Sequence, residues 1–186
     1  MKLHIRNMVS NPCKMIVKNE LDRIGLNYQS ISLGEVEMPN IPTKDEYRLL
    51  KAALIRFGLE LMVDKKAMLI ERIKNTIIHM VHYTDELPKV KNSNYISEKI
   101  EHDYTYLANV FSQETGMTIE HYIINHKIER AKELILYDEL NLTEISYLLN
   151  YSSVAHLSRQ FKQVTGLTAS FFRNAPFDSR IALENV

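Results

Sequence analysis

Tyr151-Ser-Ser-Val-Ala-His-Leu-Ser-Arg-Gln-Phe-Lys-Gln-Val-Thr-Gly-Leu-Thr-Ala-Ser-Phe-Phe-Arg173 carries the start, buried face and stop of a helix in 23 residues. Ser152 and Ser153 are both suited to cap a helix, because a serine oxygen accepts the backbone N–H groups that a first turn leaves unpaired. Val154, Leu157, Phe161 and Val164 fall at helical spacing and predict one buried face. Ala155, His156, Ser158, Arg159, Gln160, Lys162 and Gln163 are left for the other faces. Gly166 predicts the stop, since glycine enters a left-handed C-terminal turn without steric penalty. Just upstream, Leu142 to Leu149 reads as a short helix capped by Thr143. Joined at Asn150-Tyr151-Ser152, the two segments make a helix-turn-helix candidate.

The polar face of the second helix suits a duplex groove. By donor and acceptor geometry Arg159 and Gln160 are base readers, and Lys162 is a phosphate contact. Ser153, His156 and Arg173 complete the downstream candidate set. No Asp or Glu occurs between Ile145 and Phe177, so this region is locally +3 in a chain of net charge zero. The competing reading is an ordinary amphipathic helix with a solvated polar face.

An internal repeat separates the two readings. At an offset of 50 residues Leu107 meets Leu157, Phe111 meets Phe161 and Gln113 meets Gln163. Thr115-Gly116 meets Thr165-Gly166, Thr118 meets Thr168, and the aromatic Tyr122 meets Phe172. Each copy reads as a short helix, a turn, a second helix ending in Thr-Gly, and the start of a third.

These residues resemble the DNA-binding domain of the AraC/XylS family of bacterial transcription regulators. The resemblance covers about residues 68–175. It is carried by Leu142 to Leu149, Tyr151, Leu157, Arg159, Phe161-Lys162, Gly166 and Phe172-Arg173 downstream. Upstream it is carried by Leu107, Phe111, Thr115-Gly116, Tyr122-Ile123, Ile128 and Ala131. Ala169 stands where the family usually has proline, Asn150 where it often has glycine, and Lys127 where arginine is usual. The resemblance implies DNA contacts two before, one after and two after the inward leucine. Those positions are Thr105, Ala108 and Asn109 upstream, and Ala155, Ser158 and Arg159 downstream. Asn109 can pair with adenine and Arg159 with guanine in bidentate fashion, and Ala155 can touch a thymine methyl.

The upstream recognition helix is expected over Tyr104–Thr115, with Leu107, Val110 and Phe111 inward. Thr105, Tyr106, Ala108, Asn109 and Gln113 point outward. It holds no Lys or Arg, and Asp103 and Glu114 flank it, so its share of phosphate binding should be small. Ser93 to Lys99 precedes it as a helix. Ile119–Tyr137 reads as a long helix, by resemblance the rod that sets both recognition helices in successive major grooves.

The 186 residues allow one or two domains, and a 45% hydrophobic fraction is enough for a core. The single cysteine excludes an intrachain disulfide framework and fits a reducing compartment. Charges begin at once, in Met-Lys-Leu-His-Ile-Arg, so neither a signal peptide nor a membrane span is expected, and the location expected is cytoplasmic.

Residues 1–64 read as a separate α+β unit. Leu3 and Ile5 alternate as in a strand. Pro12 and the spacing of Ile16, Val17, Leu21 and Ile24 suggest a helix closed by Gly25. Ile31 and Leu33, then Val36 and Met38, suggest two strands around a turn at Gly34-Glu35. Thr43 caps a helix holding Tyr47, Leu50, Leu54 and Phe57, and Leu59, Leu61 and Val63 alternate last. The order βαββαβ predicts a ferredoxin-like sandwich. With Met8-Val-Ser-Asn-Pro-Cys13 between first strand and first helix, the unit resembles the heavy-metal-associated, copper-chaperone-like fold, whose loop motif is Met-x-Cys-x-x-Cys. Here Ser10 replaces the first cysteine, and a hydroxyl is a poor ligand for a soft ion. Cys13 remains a weak metal candidate, with Met8 or His4 or by bridging two chains. Its place near a helix N-terminus leaves redox sensing open.

The expected organisation is therefore a ferredoxin-like domain over 1–64, a linker helix and loop over 65–92, an all-α double helix-turn-helix domain of about seven helices over 93–175, and a tail over 176–186. In the linker His79 and His82 lie one turn apart and read as ordinary histidines. Asp85-Glu86 and Asp138-Glu139 read as solvated loops. No catalytic set with credible spacing and no phosphate-binding glycine loop is present, so no enzyme and no cofactor are expected. The function expected is sequence-specific binding of double-stranded DNA by a transcription regulator. The alternative is a soft-metal or redox sensor or carrier using Cys13, with the helical domain for protein contact. Residues 68–186 carry 12 Lys and Arg against 15 Asp and Glu. Phosphate neutralisation supplies much of DNA affinity, so a monomer should bind modestly, with a homodimer or tandem sites supplying the rest. An unidentified effector at the N-terminal unit is the remaining partner expected.

Overall fold

Alternation decides the first element. In β1 (Lys2–Arg6), Leu3 and Ile5 are buried while Lys2 and Arg6 stay exposed, as a pleated strand with one packed face demands. The computed structural model describes residues 1–84, 88, 90–137 and 140–173. After β1 come α1 (Asn11–Ile24), β2 (Ser30–Ser32), β3 (Glu35–Glu37), α2 (Lys44–Ile55) and β4 (Glu60–Met62), the order βαββαβ. The sheet order is β2-β3-β1-β4, with every neighbouring pair antiparallel.

Register puts Leu3 opposite Val36 and Ile5 opposite Leu61. Val17 and Leu21 of α1, with Leu50 and Leu54 of α2, join the same cluster. Thr43 and Glu46 form a reciprocal capping box on α2, which satisfies two orphan donors at once. Phe57, expected inward, lies beyond the end of α2 and is 46% exposed. The β2–β3 turn needs Gly34 twice over. Its φ is 74°, and a Cβ there would stand 2.1 Å from the Asn75 side-chain nitrogen.

The chain forms two compact units, Met1–Asn75 and Thr76–Val186, and their boundary falls within α3 (Lys65–His82). The second unit takes the end of α3 and then α4 (Asn92–Ile100), α5 (Tyr104–Thr115), α6 (Ile119–Tyr137), α7 (Leu142–Leu148), α8 (Val154–Thr165) and α9 (Ala169–Arg173). Helix α4 packs on α5 and α7 on α8, while α6 touches α5, α7, α8 and α9. The long helix is thus the element both halves share. Ile128, Ala131 and Ile135 of α6 are buried, as are Leu107, Phe111, Leu157 and Phe161.

Two local expectations are corrected. Helix α7 is capped by Asn141 rather than Thr143. The Asn141 side-chain oxygen accepts from the Thr143 and Glu144 amides at 2.9 and 3.1 Å, and Glu144 returns a bond to the Asn141 amide at 2.7 Å. An Asn–Glu pair closes a capping box that Thr143, already inside the first turn, cannot. Val164, expected inward, is 41% exposed. The chain turns at Gly166, and Phe172 fills the space beside Phe161 instead, its ring 5.5 Å away. Asp85-Glu86, Asp138-Glu139 and the tail lie outside the described residues.

Candidate nucleic-acid interface

The two candidate recognition helices are built alike, bond for bond. Asp103 caps α5 by accepting from the Tyr106 amide, and Ser153 caps α8 by accepting from the His156 amide, each at 3.1 Å. Both helices end on a left-handed glycine, Gly116 at φ 74° and Gly166 at φ 75°. Thr115 Oγ1 donates to the Phe111 carbonyl and Thr165 Oγ1 to the Phe161 carbonyl, each at 2.7 Å. Thr118 then caps α6 through the His121 amide, and Thr168 caps α9 through the Phe171 amide. Phe111 packs on Tyr122 as Phe161 packs on Phe172, at 5.5 Å in both pairs. Apart from the exposed Gln113 and Gln163, the 50-residue identities are therefore framework. They hold each helix by its ends and its buried face, leaving the outward face to vary.

That outward face follows from about 100° of turn per residue. Ala155, Ser158, Arg159 and Lys162 share one arc of α8. Thr105, Ala108, Asn109 and Ser112 share the equivalent arc of α5. Thr105, Asn109, Ala155, Arg159 and Lys162 are exposed, and Ala108 and Ser158 are half-buried. Gln113 and Arg173 are exposed as well. Tyr106 is 51% exposed and packs edge-on against His102 at 5.8 Å. Ser153 uses its oxygen as the cap.

His156 and Gln160 stand apart from that arc, half-buried on the flank of α8 toward α6. His156 Nδ1 is 3.1 Å from Ser152 Oγ, and its ring meets Tyr151 edge-on at 5.2 Å. The two outward faces differ in charge. That of α8 presents Arg159 and Lys162, and neither forms an ion pair among the described residues. That of α5 presents only neutral side chains.

Behind α8 lies a group that sequence reading singled out only as a departure from arginine. Lys127 is 9% exposed, and its Nζ lies 5.2 Å from the centre of the Tyr151 ring. Burial pushes its pKa down to about 8, because a charged amine loses hydration there. Burial likewise pushes the Tyr151 phenol up to about 12. The signal that marks Lys127 is a cation at a position of α6 whose helical neighbours Ile123 and Ile128 are apolar. Elsewhere on α6, Glu120 accepts from the Tyr104 hydroxyl at 2.5 Å, and that phenol is raised by burial and by the carboxylate.

In the first unit Cys13 is half-buried, with its sulfur 3.1 Å from Ser10 Oγ. It packs against the core cluster that contains Met8. Met8 is fully buried in the core. His4 alternates onto the opposite sheet face from Leu3 and Ile5, with Nδ1 3.8 Å from Glu35. His82 and His79 do not form a metal pair either. His82 Nε2 meets His126 Nδ1 at 3.2 Å, while His79 packs against Tyr83.

Comparison with known proteins finds relatives for the second unit. Residues 96–175 match the family model described as a helix-turn-helix domain. Over 55% of the chain the sequence is 23% identical to an uncharacterized HTH-type transcriptional regulator, YtdP, of Bacillus subtilis. Over 49% it is 27% identical to the Msm operon regulatory protein of Streptococcus mutans. The matched parts span 13% and 36% of those relatives. In fold, 64% of the chain is similar to 92% of the C-terminal domain of AraT, a response regulator from Geobacillus stearothermophilus, with a TM-score of 0.51 and 22% identity. No helix among the described residues is long and apolar enough to cross a membrane.

Proposed function

We propose that the chain is a DNA-binding transcription regulator of the AraC type, in which α5 and α8 read successive major grooves of double-stranded DNA. The observation that carries the reading is the pair of helices, capped at equivalent positions and joined through α6. Such a pair presents two outward faces from one rigid frame. Thr105, Ala108 and Asn109 form the upstream reading set, and Ala155, Ser158 and Arg159 the downstream one. Lys162 and Arg173 contact phosphate. His156 and Gln160 act as flank residues that brace the turn. Residues 93–175 make up the DNA-binding domain, and DNA as ligand places its work in the cytoplasm. The chain carries out no catalytic step in this reading.

Residues 1–64 belong to the ferredoxin-like class, a reading supported by the βαββαβ order and the β2-β3-β1-β4 antiparallel sheet. The burial of Met8 in the core and the place of His4 on the other sheet face favour a contact or sensing unit over a metal carrier. The test is selection from a randomised duplex library by the full chain, followed by affinity against salt. Enrichment of a bipartite site supports the reading. Salt-sensitive binding without enrichment contradicts it.

A further inference from the structure

Lys127 poses a physical problem that the DNA-reading surface does not solve. An ammonium group nine-tenths buried without an anion is costly, and such groups normally pair. Lys127 has the Tyr151 ring beneath it, but no hydrogen bond and no carboxylate partner among the described residues. It lines a cavity of about 280 Å³ together with Tyr151, Gln160, Glu120, Ile123 and Ile124. The Tyr151 hydroxyl is also buried without a hydrogen-bond partner.

We propose that this cavity binds a small organic monoanion, a carboxylate with an apolar body. Its charged end is taken by Lys127 Nζ, and its body lies against Ile123 and Ile124. An ammonium is a charge-assisted donor suited to a carboxylate. Glu120 lies two turns from Lys127 on the same helix, about 10 Å away along the axis. Its charge disfavours a polyanion, so a DNA strand or a phosphate ester fits the cavity less well than a carboxylate. Gln160 carries the cavity wall onto α8 itself. Occupancy would stiffen the junction between α6 and the downstream recognition helix, placing an effector site inside the DNA-binding unit.

The experiment is thermal unfolding of the full chain with sodium benzoate, and separately with inorganic phosphate, in the absence of DNA. A ligand bound only by the folded state raises Tm as it saturates. Benzoate should raise Tm saturably, by at least about 3 °C, and phosphate should do less at equal ionic strength. Lys127→Met should abolish the benzoate shift, and the exposed control Lys99→Met should keep it. No saturable shift, or an equal shift in Lys127→Met, overturns the proposal. So does an equal response to phosphate, which marks a general oxyanion site. A second arm separates a DNA phosphate from a free anion. Lys127→Met should leave the salt slope of DNA binding unchanged, and loss of about one unit of slope would assign the cavity to the DNA backbone instead. The unfolding arm contains no DNA, so its outcome stands apart from that of the proposed function.

Discussion

Arg159 and Asn109 occupy equivalent places, two residues beyond the buried leucine of their helices, yet carry different chemistry. Arg159 suits a guanine edge and Asn109 an adenine edge. Arg159→Ala should weaken specific binding by roughly 1–3 kcal/mol and relax preference at one base pair, read by competition between matched and singly substituted duplexes. Lys162→Ala should weaken all duplexes alike and reduce the salt slope by about one, measured as log affinity against log salt. Lys127 supplies a prediction with a sign. Its pKa is about 8 folded against an ordinary value of 10.5. Below pH 8 both states hold the proton and the burial cost is complete. Between pH 8 and 10.5 the folded protein sheds the proton first, so the cost fades as pH rises. Lys127→Met should therefore be more stable than the parent at pH 7, by roughly 1–3 kcal/mol. That gap should close toward pH 10.5 in paired urea melts. Lys127 was visible in the sequence only as a substitution for arginine, because no one-dimensional pattern shows that a cation lacks its anion.

The elements were legible where their ends are written in side chains. Tyr104–Thr115 and Ile119–Tyr137 stand as read, since Asp103, Gly116 and Thr118 mark three of their four limits chemically. The α7 cap was misplaced by two residues because Asn141 and Thr143 are both good caps and only the Glu144 reciprocal bond decides between them. Val164 was misjudged because helical spacing tells which residues share a face, not how far the packed partner extends along it. Packing then separates two substitutions on α8. Phe161→Ala removes a fully buried ring and should destabilise by about 3–5 kcal/mol. Val164→Ala, at the exposed end, should change stability by less than about 0.5 kcal/mol. Thermal or urea unfolding of both variants checks the pair.

At the scale of the whole molecule, the repeat of 50 residues carries most of what the sequence could say. It implied two equivalent helix pairs before any contact was known, and the same threonine bonds, glycines and aromatic pairs recur at each copy. The repeat could not supply the chemistry of the outward faces, which is where the copies differ. The first unit's element order was readable from alternation and turns, but the full burial of Met8 needed the packed core. The zero net charge of the chain conceals a basic α8 and an α5 with one carboxylate and no cation, an asymmetry that predicts unequal halves of the DNA site. The most direct measurement of the central claim is selection of duplexes from a randomised library by the full chain. The expected result is a bipartite site whose two motifs lie about one helical turn apart, about 10–10.5 base pairs. The motif assigned to α8 should be the more strongly enriched, and Arg159→Ala should erase preference within that motif alone. A single motif untouched by Arg159→Ala, or no enrichment at all, would contradict it.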